Sequence, residues 1–140
     1  MHLATPDSEQ LAAASVVEVF LRNLLERQLR EAATMVTGDM VFLGRRGWRG
    51  EGSPFRPDAR MLDGSVRVLL PSEVASLPES AQREAFEVPI SDGEQVLFAI
   101  LKTPTSRATL GIIARREGES FRIARLFDTK RVKQVLASVH

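Results

Sequence analysis

The sequence contains no cysteine, no tyrosine and only two histidines, His2 and His140, which stand at its two ends. Without thiols it offers no disulfide framework, no thiolate zinc site and no thiol nucleophile. Because chain ends are usually poorly ordered, catalysis or metal binding through histidine is not expected either. The composition therefore predicts no metal site, and the sequence carries no motif that would indicate a cofactor.

An excess of charge of one sign and a long hydrophobic run are also missing. The 19 basic and 18 acidic residues leave a formal net charge of +1, so no general attraction to nucleic acids or acidic membranes is expected. The most apolar segment, residues 11–21, is interrupted by Ser15 and Glu18 and is shorter than the roughly 18 residues that a membrane span needs. Asp7 and Glu9 stand where a secretory signal would be basic. We therefore expect a cytoplasmic protein with no membrane partner.

What the sequence does contain is enough for one globular domain. It has 140 residues, of which 44% are hydrophobic, and a chain of this length buries roughly two-thirds of its unfolded surface on folding. We expect a single domain over residues 1–140, with its core in about residues 7–128 and a C-terminal helix over residues 129–139.

The spacing of the apolar residues predicts an α+β fold that begins with a helix. In residues 11–36 they recur mainly at steps of three and four, as in an amphipathic helix packed on a core. No cap stands between Glu26 and Arg30, so the pattern is compatible with one bent helix or with two. The pair Thr37-Gly38 is expected to end the helical segment.

The rest of the sequence predicts mostly β-structure. A short apolar strand is predicted over residues 40–43. Residues 44–64 contain five glycines and two prolines and are predicted to form a loop, and residues 71–82 are predicted to form a short helix or a turn. Strands are predicted over residues 65–70, 83–90, 94–102, 107–116 and 120–127, of which the last four form an antiparallel meander. Thr129 is expected to cap a helix over residues 130–139.

The predicted strand 94–102 is apolar on both faces. Its successive side chains point to opposite faces of the strand. One face carries Val96, Phe98 and Ile100, and the other carries Leu97, Ala99 and Leu101. One face can pack on the N-terminal helix, but the other face of an antiparallel sheet is often polar, so its hydrophobicity requires a second cover. We expect a second subunit there, in a homodimer through the sheet; the alternative is that the C-terminal helix covers this face within one chain.

The order of these elements resembles the NTF2-like superfamily over about residues 11–127. The resemblance rests on a helix that leads through Ala32-Ala33-Thr34-Met35-Val36 into Gly38-Asp39-Met40-Val41-Phe42, and on a terminal hairpin with Gly111-Ile112-Ile113 and Phe121-Arg122-Ile123. It implies N-terminal helices packed on a curved antiparallel sheet that forms a cone-like open barrel. The sequence departs from the family's pattern at Arg27-Gln28, in place of a small or acidic break, and in the helix after the last strand.

The resemblance also indicates which reactions to consider. Steroid-isomerase-like members use a tyrosine and a carboxylate base, but Phe20 stands at about the tyrosine position and Leu43 or Gly44 at the base position. Neither type of side chain supplies the required donor or base. Dehydratase-like members use a histidine and an aspartate, and this sequence has no interior histidine. Both reactions are therefore not expected.

An epoxide-hydrolase-like arrangement remains, because it needs only an arginine flanked by two aspartates to orient and deprotonate water. The candidates are Asp39, Arg125 and Asp128, with Arg107 as a further cation, and Glu87 is a separate lone carboxylate. The alternative is that these side chains simply face solvent at strand ends. Whether the chain is an enzyme is left open, with hydrolase or lyase chemistry as the activities considered.

The apolar residues favour a ligand over a reaction, since pockets for small organic molecules are mostly apolar with few polar anchors. The expected lining is largely aromatic and comprises Phe20, Leu24, Phe42, Trp48, Phe55, Met61, Phe86, Phe98 and Phe127. Some of these, above all the phenylalanines at helical or strand spacing, are equally typical of plain core. We predict binding of a small, largely apolar molecule in a cone-shaped pocket; the alternative is a non-catalytic dimeric interaction module whose cone is filled by its own side chains.

A basic segment gives a rival class of partner. Over residues 45–60, five arginines stand against two acidic residues, together with Trp48. A cationic loop with a stacking aromatic can hold a phosphate, a carboxylate or single-stranded nucleic acid. The balanced charge of the whole chain opposes extensive contact with nucleic acid, so a solvated loop is expected and nucleic acid is not an expected partner.

Overall fold

The computed structural model describes residues 8–26, 28–43, 45–47, 64–74, 93–104 and 107–137, except the side chains of Arg45 and Ser72. The predicted strand over residues 83–90 lies outside the described residues, as does most of the predicted loop over residues 44–64. Within the described ranges the chain has an α+β fold, in which an N-terminal helix and a short C-terminal helix pack on one sheet.

The N-terminal helical segment is two helices, α1 (Ser8–Leu25) and α2 (Leu29–Ala33). Gln28 separates them with φ −84° and ψ 69°, which is outside the helical range. After α2 the chain turns, and the Thr34 hydroxyl donates a hydrogen bond to the carbonyl oxygen of Glu31 at 2.6 Å. The segment therefore ends three residues earlier than the periodicity predicts.

The prediction that Thr37-Gly38 ends the helical segment is wrong, because both residues lie inside strand β1 (Val36–Phe42). Val36 and Thr37 are β-branched and fit a pleated, half-buried surface. Val36 is paired with Ile123 of the last strand, and the Ile123 amide donates to the Met35 carbonyl at 2.8 Å. Pairing with a distant strand therefore decides the conformation here, and the local glycine signal does not.

Five further strands complete the sheet: β2 (Arg45–Arg46), β3 (Ser65–Leu69), β4 (Glu94–Lys102), β5 (Arg107–Glu117) and β6 (Ser120–Phe127). Among the described strands the order is β2-β1-β6-β5-β4-β3. Strands β3 to β6 are antiparallel neighbours, as the meander prediction requires for β4, β5 and β6. Strand β1 runs parallel to β6, so the sheet is mixed and not antiparallel throughout. Strands β2 and β3 stand at its two edges, and the sheet is not closed into a barrel.

The turn between β5 and β6 depends on a glycine. Gly118 has φ +67°, a left-handed conformation that L side chains rarely adopt, and it lies between the register partners Glu117 and Ser120. The predicted strands over residues 107–116 and 120–127 require a turn between them, and the structure has it at Gly118 and Glu119. This turn places β5 and β6 side by side along their whole shared length.

The first core lies between α1 and one face of the sheet. Helix α1 contributes a fully buried row of apolar residues, and the facing strands contribute apolar residues from β1, β4, β5 and β6. The main members are Val17, Phe20, Leu21, Leu24, Leu25, Met40, Leu97, Ala99, Ile112, Ile123 and Leu126. The three-to-four spacing of the helical row against the two-residue alternation of the strands is the expected signature of helix-on-sheet packing.

The opposite face of the sheet is covered by a third α-helix, α3 (Lys130–Val135), which packs on β5, and by a 3-10 turn over Pro71–Val74, which packs on β3 and β4. The α3 residues Val132, Val135 and Leu136 are buried against the alternate side chains of the strands, which include Phe98, Ile100, Ile113 and Ala124. As predicted, the Thr129 hydroxyl caps this helix and accepts a hydrogen bond from the Val132 amide at 3.3 Å. The C-terminal helix therefore covers this face within one chain, and a homodimer through the sheet stays a prediction.

We expect Val132→Asp to undock α3, because Val132 is fully buried and a carboxylate there has no aqueous environment. The free energy of unfolding should fall by about 2 kcal/mol or more, and the uncovered apolar face should drive self-association. Chemical denaturation and light scattering after size-exclusion chromatography measure both effects. The matched control is Gln134→Asp, which makes the same charge change at an exposed position of α3; equal behaviour of the two variants would show that α3 does not hold this face closed.

Candidate functional site

The best-defined polar cluster is an arginine held between two carboxylates on three different strands. Arg115 of β5 donates from Nη1 to Asp39 Oδ1 of β1 at 3.1 Å and from Nε to Glu94 Oε2 of β4 at 3.3 Å. Glu94 and Arg115 are register partners, whereas the bond to Asp39 spans the intervening strand β6. The side chains are 6% exposed in Glu94, 33% in Arg115 and 71% in Asp39, so the cluster runs from the protein interior to solvent.

The environment of Asp39 stabilises its ionised form. The Thr37 hydroxyl has the largest effect and lowers the pKa of Asp39; burial acts next and raises it, and the charge and hydrogen bond of the Arg115 guanidinium lower it again, so that the pKa lies below its usual value of 3.8. Within the described residues the buried Thr37 Oγ1 atom makes no hydrogen bond of normal geometry, so Arg115 is the directional partner of Asp39. A carboxylate with a lowered pKa is a weak base at neutral pH.

Other ion pairs surround this cluster at the same end of the sheet. Arg116 is paired with Glu9 of α1, and Arg122 with Glu117 at 3.4 Å across the β5–β6 turn. All of these side chains are about half exposed. Together with the Asp39–Arg115–Glu94 cluster they connect α1 and four strands, which is typical of a structural network on the surface of a domain.

Within the described part of the chain, Asp39 forms no ion pair with the arginines predicted for epoxide-hydrolase-like chemistry. Asp39 is paired with Arg115 and not with Arg107 or Arg125. Arg107 begins β5 and is exposed, Arg125 is partly buried within β6, and Asp128 is exposed after β6. Glu87 lies outside the described residues. The arginine that actually sits between two carboxylates was not among the predicted residues.

A sequence signal for that arginine does exist. The predicted strands 94–102 and 107–116 form a hairpin, and counting outward from its turn places Glu94 opposite Arg115. Opposite charges at facing positions of two strands stabilise the strand pair. Asp39 has no comparable signal, because its approach depends on the parallel pairing of β1 with β6.

The predicted ligand-lining residues divide between the two faces of the sheet. Phe20, Leu24 and Phe42 are buried in the core under α1, whereas Phe98 is buried under α3 and Phe127 packs partly buried beside it. The sheet separates the two groups, so these five side chains do not line one common pocket. Trp48, Phe55, Met61 and Phe86 lie outside the described residues.

A small cavity does open at the edge of the sheet, between β3 and β4. Its volume is about 80 Å³, and it is lined by Ser65, Arg67, Ile100 and Lys102. Two cations, a hydroxyl and an aliphatic side chain give this cavity a different chemistry from the apolar pocket that the sequence predicts. Within the described residues no cluster of three or more histidine, cysteine, aspartate or glutamate side chains could hold a metal ion.

Comparisons of the chain with protein-family models, with curated proteins and with solved structures find no match. The NTF2-like resemblance is thus carried by the order and spacing of elements alone. In the described part of the chain, none of the helices combines the length and the apolar character that crossing a membrane requires.

We expect Arg115→Met to destabilise the protein more than Arg116→Met. The first substitution takes a charged partner from Glu94, whose side chain is almost buried, whereas the second breaks a pair that is half exposed on both sides. The loss should be about 1–3 kcal/mol for Arg115→Met and below about 1 kcal/mol for Arg116→Met. Urea unfolding of both variants measures the difference, and an equal loss would show that the Arg115–Glu94 contact is no stronger than a surface pair.

The lowered pKa of Asp39 predicts a pH dependence of stability. Because its folded-state pKa lies below 3.8, the ionised side chain stabilises the fold above about pH 4, and this stabilisation disappears as the pH falls through the folded-state value. The wild-type protein should therefore exceed Asp39→Asn in unfolding free energy at pH 6, and the gap should shrink below pH 4. Urea unfolding of both proteins across this range measures it; a gap that is constant with pH would contradict the assignment.

Proposed function

We propose that this chain is a non-catalytic binding module of NTF2-like architecture whose interior is filled by its own side chains. The observation that carries the proposal is the packing between α1 and the sheet. Phe20 and Leu24 of α1 belong to the same core cluster as Leu97 and Ile112 of the sheet, and all four are fully buried. Pockets that enclose small organic ligands typically have volumes of about 300 Å³ or more. Space that core side chains occupy is not open to such a ligand, which supports binding at the surface.

The electrostatics of the ionisable cluster support a role without catalysis. Asp39 is mostly exposed and its pKa is lowered, whereas a general base works best with a pKa near the working pH in a site that excludes water. Glu94 is nearly buried and is held by Arg115. The three side chains are arranged to neutralise one another, as in an ion-pair network that holds strands in register.

A second copy of the chain is the partner that we propose first. Val96 and Phe127 are partly buried hydrophobic residues that pack against the cluster under α3. The exposed cations Lys130 and Lys133 of α3 oppose a two-fold axis that passes through this helix, because such an axis would bring the same charges of the two copies together. We therefore propose that the homodimer forms through the margin of this face.

Binding of a small, largely apolar molecule is the second candidate function. It is supported by a feature of the sequence, the aromatic residues Trp48 and Phe55 within the glycine-rich residues 44–64. Hydrolase or lyase activity is proposed only as part of this second candidate function, because it requires such a bound molecule. The two candidates differ in one measurable property, which is whether the protein retains a small organic molecule.

Native mass spectrometry of freshly purified protein tests the proposal, because one spectrum reports both the number of subunits and any retained molecule. We expect the mass of two copies of the polypeptide without a releasable adduct; a monomer would overturn the proposed homodimer. A stoichiometric organic adduct would overturn the filled-interior proposal in favour of the second candidate. In that case Trp48→Ala and Phe55→Ala should reduce retention, and Leu11→Ala, at an exposed position of α1, should leave it unchanged.

A further inference from the structure

The outer faces of α1 and α3, on opposite sides of the sheet, carry exposed charges of opposite sign. Helix α3 contains no acidic residue, and its Lys130 and Lys133 are exposed and make no ion pair within the described residues. On the other side, the exposed charged residues of α1 and of the position after it are Glu18 and Glu26, which also make no ion pair there. Arg22 of α1 is half-buried, and its guanidinium donates to the Gly64 carbonyl at 3.2 Å.

The strands extend the positive charge around α3. Arg125 of β6 is the register partner of Ile113, which is buried under α3, so Arg125 lies on that face of the sheet. Lys102 of β4 follows Ile100 by two residues and therefore points to the same face. Against these cations stands Asp128, which is exposed just before α3. The surface around α3 thus keeps an excess of positive charge.

The outer face of α1 combines its negative charge with apolar contact area. Leu11 and Val19 are 51% and 52% exposed and are the large apolar side chains that the described residues expose to solvent. Leu11, Glu18, Val19 and Glu26 follow one another at spacings of two helical turns, so they lie along one stripe. None of the four belongs to either core cluster.

We propose that the outer face of α1 in one copy of the chain docks on the outer face of α3 in a second copy. The Lys130 and Lys133 ammonium groups lie against the Glu18 and Glu26 carboxylates, which gives the contact its charge complementarity. The aliphatic stems of the two lysines cover Val19, because long cationic side chains bury their stems on apolar surface while the charge stays in water. Two different surfaces meet, so the contact is heterologous and repeats from copy to copy.

This contact is additional to the proposed homodimer and does not depend on it. The homodimer joins two equal surfaces and ends at two copies, whereas a heterologous contact leaves one α1 face and one α3 face open for the next copy. Exposed ion pairs contribute little and are weakened by salt. We therefore expect the heterologous contact only at high protein concentration and low ionic strength, outside the dilute conditions of native mass spectrometry.

Sedimentation velocity of the full-length protein tests the contact, from about 10 μM to about 1 mM protein and at about 0.02 M and about 0.5 M sodium chloride. We expect the average mass at low salt to rise beyond two copies as the protein concentration increases, and to return to two copies at high salt. A mass that stays at two copies at the highest protein concentration and low salt overturns this proposal and leaves the homodimer intact. Salt-sensitive association that starts from a monomer overturns the homodimer and leaves this proposal intact.

Two double variants show which faces meet. Lys130→Gln with Lys133→Gln neutralises α3, Glu18→Gln with Glu26→Gln neutralises α1, and each should weaken association beyond two copies about tenfold. An equimolar mixture of the two variants should restore association, because the first keeps its α1 face and the second keeps its α3 face. A mixture that associates no better than its components would overturn the proposal.

The matched control removes two exposed carboxylates away from the outer face of α1. Glu31→Gln with Glu119→Gln changes α2 and the β5–β6 turn, and it should change the association less than about twofold. All of these positions are exposed, so each variant should keep the fold. Equal losses in the α1 variant and in this control would show a general effect of charge and overturn the proposal.

Discussion

The fold depends on the burial of both faces of the central strands. Strand β4 carries Leu97 and Ala99 toward α1 and Phe98 and Ile100 toward α3, and all four are buried. A strand that is apolar on both faces is stable in water only if each face is covered. Helix α1 meets this requirement on one side, and the short helix α3 together with the 3-10 turn at Pro71–Val74 meets it on the other. The position of both helices follows from this constraint.

Ion pairs connect the helix and the strands of this layered structure. At one end of the sheet, ion pairs connect α1, β1, β4, β5 and β6, with Arg115 shared between an almost buried and an exposed carboxylate. The formal net charge of +1 does not reveal this network, because it sums over all charges and not over the pairs that they form.

The functional proposal rests on the core under α1 and on the ion-pair cluster around Arg115. The side of the sheet that faces α1 is occupied by Phe20, Leu24 and their neighbours, and the polar cluster around Arg115 neutralises itself. We propose that the chain acts through surface contacts with a second copy of itself. The NTF2-like resemblance of the sequence stays an expectation, and it carries no function by itself, since one fold serves many activities.

The sequence by itself determined the elements whose signals are local. The alternation along β4, the turn at Gly118 and the Thr129 cap all lie within a few residues of the structure they specify, and β4 and β6 begin and end where their patterns do. The sequence also determined that both faces of the central sheet need a cover. Which element supplies the second cover depends on how α3 returns over β5, a contact that apolar periodicity alone leaves open.

Only the tertiary structure decided the features that depend on distant pairing. Thr37 and Gly38 are helix-ending residues by local preference, yet the parallel pairing of β1 with β6 places them in a strand. The same pairing brings Asp39 within reach of Arg115, 76 residues away along the chain. It is also the packing of α1 and α3 on opposite faces that separates Phe20 and Phe42 from Phe98. Side-chain type and spacing report only local geometry, whereas a site is made by the register of strands that are far apart in sequence.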